Sequence, residues 1–140
     1  MDFDGLMREA AAAREHAYAP YSHFRVGAAV LTDNGRIYSG CNVENASYGA
    51  TLCAERNAIA KAVSEGAGRI LALAVIGDSQ GETTPCGICR QVIAEFAEMD
   101  MPVLCGDRNG KFNSHTLREL LPFAFTPADL AGSTDDAGRN

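Results

Sequence analysis

The chain has 140 residues, 46% hydrophobic and 21% charged, a globular balance that fits one domain with a sizeable core and carries no disorder signature. Its net charge of −6, from 18 acids against 12 bases, argues against a nucleic acid polymer as partner, because displacing phosphate counterions takes clustered Lys and Arg. Residues 1–10 carry acids and no apolar run, and no stretch reaches the roughly 20 apolar residues of a membrane span. Neither a leader nor a membrane partner is expected, and a cytoplasmic location is.

Phe3, Leu6, Met7, Ala10 and Ala11 recur at helical spacing and predict a helix over 2–18, punctuated by Pro20. A strand over 24–31, a turn at Asp33-Asn34-Gly35 and a return strand over 36–43 read as a hairpin, since Asn and Gly tolerate positive φ. Residues 52–65 form an alanine-rich amphipathic helix that Gly66 and Gly68 end. The near-continuous apolar run over 70–76 reads as a strand covered on both faces. A polar loop over 77–84 follows, then a helix over 86–99, a short strand over 103–106, an edge strand over 111–114 and a short helix over 117–121. This order predicts an α/β fold: a three-layer α/β/α sandwich around a mixed sheet of about five strands. One catalytic domain is expected over 1–130, followed by a polar, frayed tail over 131–140.

Five cysteines stand at positions 41, 53, 86, 89 and 105. Disulfides rarely persist in the cytosol, and an odd count cannot pair completely within one chain, so metal binding or thiol chemistry is the better reading. Cys53 and Cys86 fall at the starts of two predicted helices, and Cys89 one turn further on. Helix N-termini favour anions and lower thiol pKa values, so these three sulfurs suit a metal. Three protein ligands with a fourth position open is the catalytic zinc pattern. Glu55, two residues after Cys53, can take a proton from a water whose pKa the metal lowers. Rival readings are a redox pair at Cys86 and Cys89, or a closed structural site that recruits Cys41 or Cys105. Left alone, Cys41 and Cys105 read as small buried apolar residues, and Glu55 as an exposed helix-start acid.

Cys53-Ala54-Glu55 with Pro85-Cys86-Gly87-Ile88-Cys89 resembles the zinc nucleoside and nucleobase deaminases. The segments PYSHFRVGAA over 20–29, GCNVENASYG over 40–49 and LLPFAF over 120–125 look like the small homotetrameric cytidine deaminases. This resemblance implies one Zn²⁺ per chain held by Cys53, Cys86 and Cys89, with Glu55 as the proton shuttle. It implies hydrolytic deamination of cytidine or 2′-deoxycytidine, as in pyrimidine salvage, in a homotetramer whose sites lie near subunit interfaces. Asn42 and Glu44 would bond the ribose 3′-hydroxyl, Phe24 and Ala54 would meet the substrate, and Phe125 would approach from a neighbouring subunit. Arg56 would draw charge from the thiolates, since three of them on Zn²⁺ leave a net −1 that opposes ionising a bound water. Two departures stand out: Ile88, where similar chains often have a smaller residue, and Phe123, where many have glycine or a polar residue.

Overall fold

In the computed structural model, which describes residues 1–131, five strands form one mixed sheet in the order β2-β1-β3-β4-β5. Along the chain run α1 (Phe3–Arg14), β1 (Val26–Thr32), β2 (Ile37–Cys41), a 3-10 turn (Tyr48–Ala50) and α2 (Ala54–Ser64). They are followed by β3 (Ile70–Gly77), α3 (Gly87–Phe96), β4 (Pro102–Gly106), β5 (Phe112–Thr116), α4 (Leu117–Leu120) and α5 (Pro127–Ala131).

Strand β1 pairs antiparallel with both β2 and β3, so β2 and β3 run the same way; β4 is parallel to β3, and β5 antiparallel to β4. Helices α2 and α3 are therefore crossovers, one from β2 to β3 and the other from β3 to β4. Both pack on one face, where Ala58 and Ile59 of α2 and Ile93 of α3 share a core with Val30, Leu73, Val75 and Val103. Helix α1 covers the opposite face, seating Leu6, Met7 and Ala10 against Ala29, Ala74, Ile76 and Leu104. The expected three layers are thus present. Because β2 and β3 end at the same edge, the starts of α2 and α3 are delivered side by side at the carboxyl ends of the strands, where open α/β sheets build their crevices.

Two glycines permit this packing. A Cβ on Gly27 would stand 2.0 Å from the carbonyl oxygen of Ala10 in α1. One on Gly40 would stand 2.7 Å from the Ala58 nitrogen and 3.1 Å from the Ala54 oxygen, so Gly40 lets the first turns of α2 press onto β2.

Element boundaries depart from the sequence expectations where tertiary contacts intervene. Helix α1 stops at Arg14 rather than 18, because Tyr18 bridges to Val43 and its N–H donates to the Asn42 carbonyl at 3.0 Å. Strand β1 begins at Val26 rather than 24 and β2 ends at Cys41 rather than 43; the Asn42 side chain bonds Phe24 and Val26 in between. Helix α3 ends at Phe96 rather than 99, since Ala97 turns extended (φ −132°, ψ 155°) and bridges to Ile70. Helices α2 and α3 begin at Ala54 and Gly87, with Cys53 and Cys86 as their N-caps rather than inside the first turn. Helix α5 was not expected; it takes in Ala131, the first residue of the expected tail, and positions 132–140 lie outside the described residues. Phe123, one of the two departures noted above, has φ 55°, a left-handed conformation in which glycine is unstrained.

Near the same edge, Asp78 collects two arginines. The Arg25 backbone N–H and Nε donate to its Oδ2 at 3.0 and 3.1 Å, and Arg14 Nη1 lies 3.9 Å from Oδ1 while donating to the Gly77 carbonyl. Burial pushes the Asp78 carboxyl up, but the Arg25 hydrogen bonds and both cationic charges outweigh it and hold it below the ordinary 3.8. A lowered folded value stabilises the protein above the unfolded pKa, and that stability is lost as pH falls through the folded one. Asp78→Asn is expected to cost about 1–2 kcal/mol at neutral pH. The difference should hold at neutral pH and shrink as pH falls below 3.8 and through the lowered folded value, as read by urea unfolding across that range.

Candidate active site

Cys53 and Cys86 each cap a helix without a side-chain cap hydrogen bond, so no oxygen competes with sulfur for the first-turn N–H groups. Cys89 lies one turn into α3 and is fully buried. The three Sγ atoms lie within 4.8 Å of one another, with Cys53 and Cys86 4.0 Å apart. Two sulfurs on a tetrahedral zinc, each about 2.3 Å from it, stand about 3.8 Å apart, so the thiols fit the ion. Neither Cys41 nor Cys105 joins this group, which removes the closed four-cysteine reading for the described residues.

The electrostatics are graded across the cluster. A hydrogen bond from the Cys89 thiol, opposed by burial and reinforced by Arg56, brings Cys53 down to about 5. The same bond and burial push Cys89 up, so the cluster's first negative charge resides on Cys53. Arg56 Nη2 donates to Cys53 Sγ at 3.2 Å and reaches the Thr51 carbonyl at 3.4 Å. Glu55, in the first turn of α2, is only 4% exposed. Burial, helped by the Cys53 charge and opposed by its own backbone N–H, raises its carboxyl to about 7. Such a group exchanges a proton readily near neutral pH.

These residues open on a cleft of about 330 Å³. Of the residues expected at the site, Phe24, Asn42, Glu44, Cys53, Ala54, Glu55 and Cys86 line it. Arg56 and Cys89 stand behind that wall. Phe125 does not line its own chain's cleft; it is 57% exposed, and its carbonyl accepts from Gln91 Nε2 at 2.7 Å. A larger concavity of about 460 Å³ beside α5 has charged rims but no thiol.

Asn42 and Glu44 hold the cleft's outer wall, the segment 20–26. Asn42 Oδ1 accepts from the Val26 N–H at 2.9 Å, and its Nδ2 donates to the Phe24 carbonyl at 2.8 Å. Glu44 Oε1 accepts the Tyr21 and Ser22 N–H groups at 3.0 and 3.1 Å, and its Oε2 accepts from Ser22 Oγ. Each side chain keeps spare hydrogen-bonding capacity toward the cleft. His23, at φ 59°, turns the chain so that Phe24 follows in the wall.

Several participants carry no signal in the one-dimensional pattern. Val26, at the start of β1, and Thr51, Thr83 and Thr84, outside the helices and strands, line the cleft only because the fold brings their segments together. Arg90 had a cue, falling four residues after Cys86 on the same helix. Its Nε donates to the Pro85 carbonyl at 2.7 Å and its Nη1 to the Leu120 carbonyl at 2.6 Å, fixing the approach to the Cys86 cap.

An open set of three thiols beside a buried carboxyl is the arrangement of a zinc-dependent hydrolase, not of a closed structural zinc site. Residues 2–105 match the family model described as the cytidine and deoxycytidylate deaminase zinc-binding region. The chain is 51% identical over 131 residues to a cytidine deaminase of Sporosarcina psychrophila, covering 94% of this chain and 96% of that one. It is 50% identical over 130 residues to a cytidine deaminase of Halalkalibacterium halodurans, covering 93% and 98%. Among solved structures, the cytidine deaminase from Burkholderia pseudomallei superposes with a TM-score of 0.84 at 46% identity, covering 89% of this chain and 100% of that one. The Mycobacterium tuberculosis cytidine deaminase gives 0.78 at 44%, covering 89% and 98%. The chain belongs to the cytidine and deoxycytidylate deaminase family, as the resemblance implied.

Proposed function

We propose that this protein hydrolyses cytidine and 2′-deoxycytidine to the corresponding uridine and ammonia, with one catalytic domain over residues 1–130. A single observation carries the reading: Cys53, Cys86 and the buried Glu55 open on the same cleft that Asn42 and Glu44 frame, with the Cys89 sulfur within 4.8 Å of the other two thiols. Cys53, Cys86 and Cys89 would hold the zinc, which supplies Lewis-acid activation of water when bound. Arg56, bonded to Cys53, offsets the excess negative charge of three thiolates.

The remaining roles follow from position. Glu55 takes a proton from the attacking water and delivers one to ring nitrogen N3, as oxygen bonds to the amino-bearing carbon. Its carboxyl then carries the remaining proton of the new hydroxyl to the amine, the carbon–nitrogen bond breaks as the carbonyl forms, and ammonia leaves. Phe24 packs on the pyrimidine, Ala54 faces it from the start of α2, and Asn42 and Glu44 bond the 3′-hydroxyl with the capacity their wall contacts leave spare.

Assembly as a homotetramer is the reading that gives Phe125 a place, since it stands exposed and away from its own cleft. An apolar groove of about 430 Å³ lined by Leu52, Ile59, Val63, Val92 and Phe96 supports such assembly. No helix among the described residues is long and apolar enough to cross a membrane. A free nucleoside as substrate, a cytoplasmic site of action and a role in pyrimidine salvage complete the proposal; the net charge of −6 disfavours a polymeric substrate.

The test is ammonia release by zinc-loaded protein from cytidine, 2′-deoxycytidine and 3′-deoxycytidine. Turnover of the first two is expected, with kcat/KM on the third lower by about 10- to 100-fold. No turnover of either cytosine nucleoside by protein holding zinc would remove the reading. Equal rates on all three would remove the Asn42 and Glu44 assignment alone.

A further inference from the structure

On the helix-covered face of the β4–β5 pair lies a second convergence of metal-ligating groups, sharing no residue with the three thiols. Strand β4 contributes Cys105, β5 contributes His115, and Glu82 comes from the strap between β3 and α3. The ladder pairs Cys105 with Asn113 and Val103 with His115, so all four side chains share one face. The Cys105 sulfur, a His115 ring nitrogen and a Glu82 oxygen all lie within 4.8 Å of one another.

We propose that Glu82, Cys105 and His115 form a second metal site, selective for zinc-class divalent cations, that pins the strap to the sheet. The donor set is one sulfur, one nitrogen and one oxygen, which suits Zn²⁺, and a thiolate with a carboxylate balances the charge of a divalent ion. The orienting contacts of a built site are also present. Asn113 Nδ2 donates to Glu82 Oε2 at 3.1 Å, which turns Oε1 toward the imidazole, where His115 Nε2 donates to it. A cation would replace that shared proton and the thiol proton together.

A surface Glu–His pair alone needs no thiol beneath it. Here Cys105 is fully buried, and its hydrogen bond is a 4.0 Å contact to the Val103 carbonyl. Burial first, then the Glu82 charge, push this thiol up to about 12, and a cation is what would let both anions stand together. Access exists from outside, since the His115 and Glu82 side chains are 31% and 32% exposed. The strap has a bearing on the cleft, because Thr83 donates its N–H to the Gly106 carbonyl at 2.9 Å and lines the cleft with Thr84.

The experiment is zinc stoichiometry of the full chain at micromolar free zinc, read by native mass spectrometry and chelator competition. Wild-type protein is expected to bind one zinc more than His115→Ala, and that variant to retain its deaminase activity. Asn113→Ala should bind the extra zinc about tenfold or more weakly. Should His115→Ala fold poorly, Glu82→Gln on the strap has the same expected loss. Equal zinc in wild type and a folded variant overturns the site. The difference between the two proteins is independent of what Cys53, Cys86 and Cys89 hold, so failure there leaves this result readable.

Discussion

Glu55→Gln is expected to lower kcat on cytidine by about a hundred- to ten-thousand-fold while zinc stays bound. Glutamine keeps the volume and polarity of the side chain, so the packing of α2 against the sheet is preserved. What it loses is the capacity to take and return a proton. Burial has already raised the carboxyl to about 7, which means that the folded protein carries an ionisable group where charge is disfavoured. Removing that group should leave thermal stability equal to wild type or slightly above it. Zinc content, melting temperature and ammonia release on the same preparation check all three points. A variant that binds zinc and turns over at a wild-type rate would remove Glu55 from the chemistry.

Cys86→Ser is expected to lose the metal and stability together. Cys86 is exposed and makes little core contact, so the substitution removes a ligand with almost no packing change. Structural zinc sites of four ligands contribute about 10–16 kcal/mol in folded peptides, so one ligand corresponds to roughly 2.5–4 kcal/mol. Urea unfolding in zinc should show a deficit of about that size, and the deficit should close when both proteins are compared in chelator. Cys89→Ser is the less informative variant because Cys89 is fully buried and its loss mixes packing with ligation. Wild-type zinc affinity in Cys86→Ser would overturn the ligand set.

The layers and the sheet were legible because burial leaves a periodic trace. The apolar run of β3 marks a strand covered on both sides, and the small residues of α2 mark a helix pressed onto a sheet. The two helix-start cysteines were legible for an electrostatic reason, since anionic ligands and helix N-termini belong together. Boundaries were not. Where α1 stops and β1 begins depends on Tyr18 and Asn42 bonding residues far along the chain, which no local pattern encodes. The threonines of the cleft wall were hidden for the same reason. Cys105 read as a buried apolar residue and is buried; the β4–β5 register brings His115 to it, and the strap after β3, bonded at Thr83 to Gly106, brings Glu82.

Asn42 and Glu44 have a consequence for how this enzyme can change. The atoms proposed to read the sugar also bond the backbone of residues 20–26. Most binding sites can drift toward a new ligand by replacing a contact residue while the scaffold stands. Here a substitution that alters sugar preference also releases the wall that carries Phe24, so the intermediate along any mutational path has lost its entrance as well as its old preference. New specificity would have to arrive with compensating changes in 20–26 at the same time. Directed evolution restricted to positions 42 and 44 should therefore return inactive variants far more often than altered ones, whereas libraries that also vary 20–26 should not.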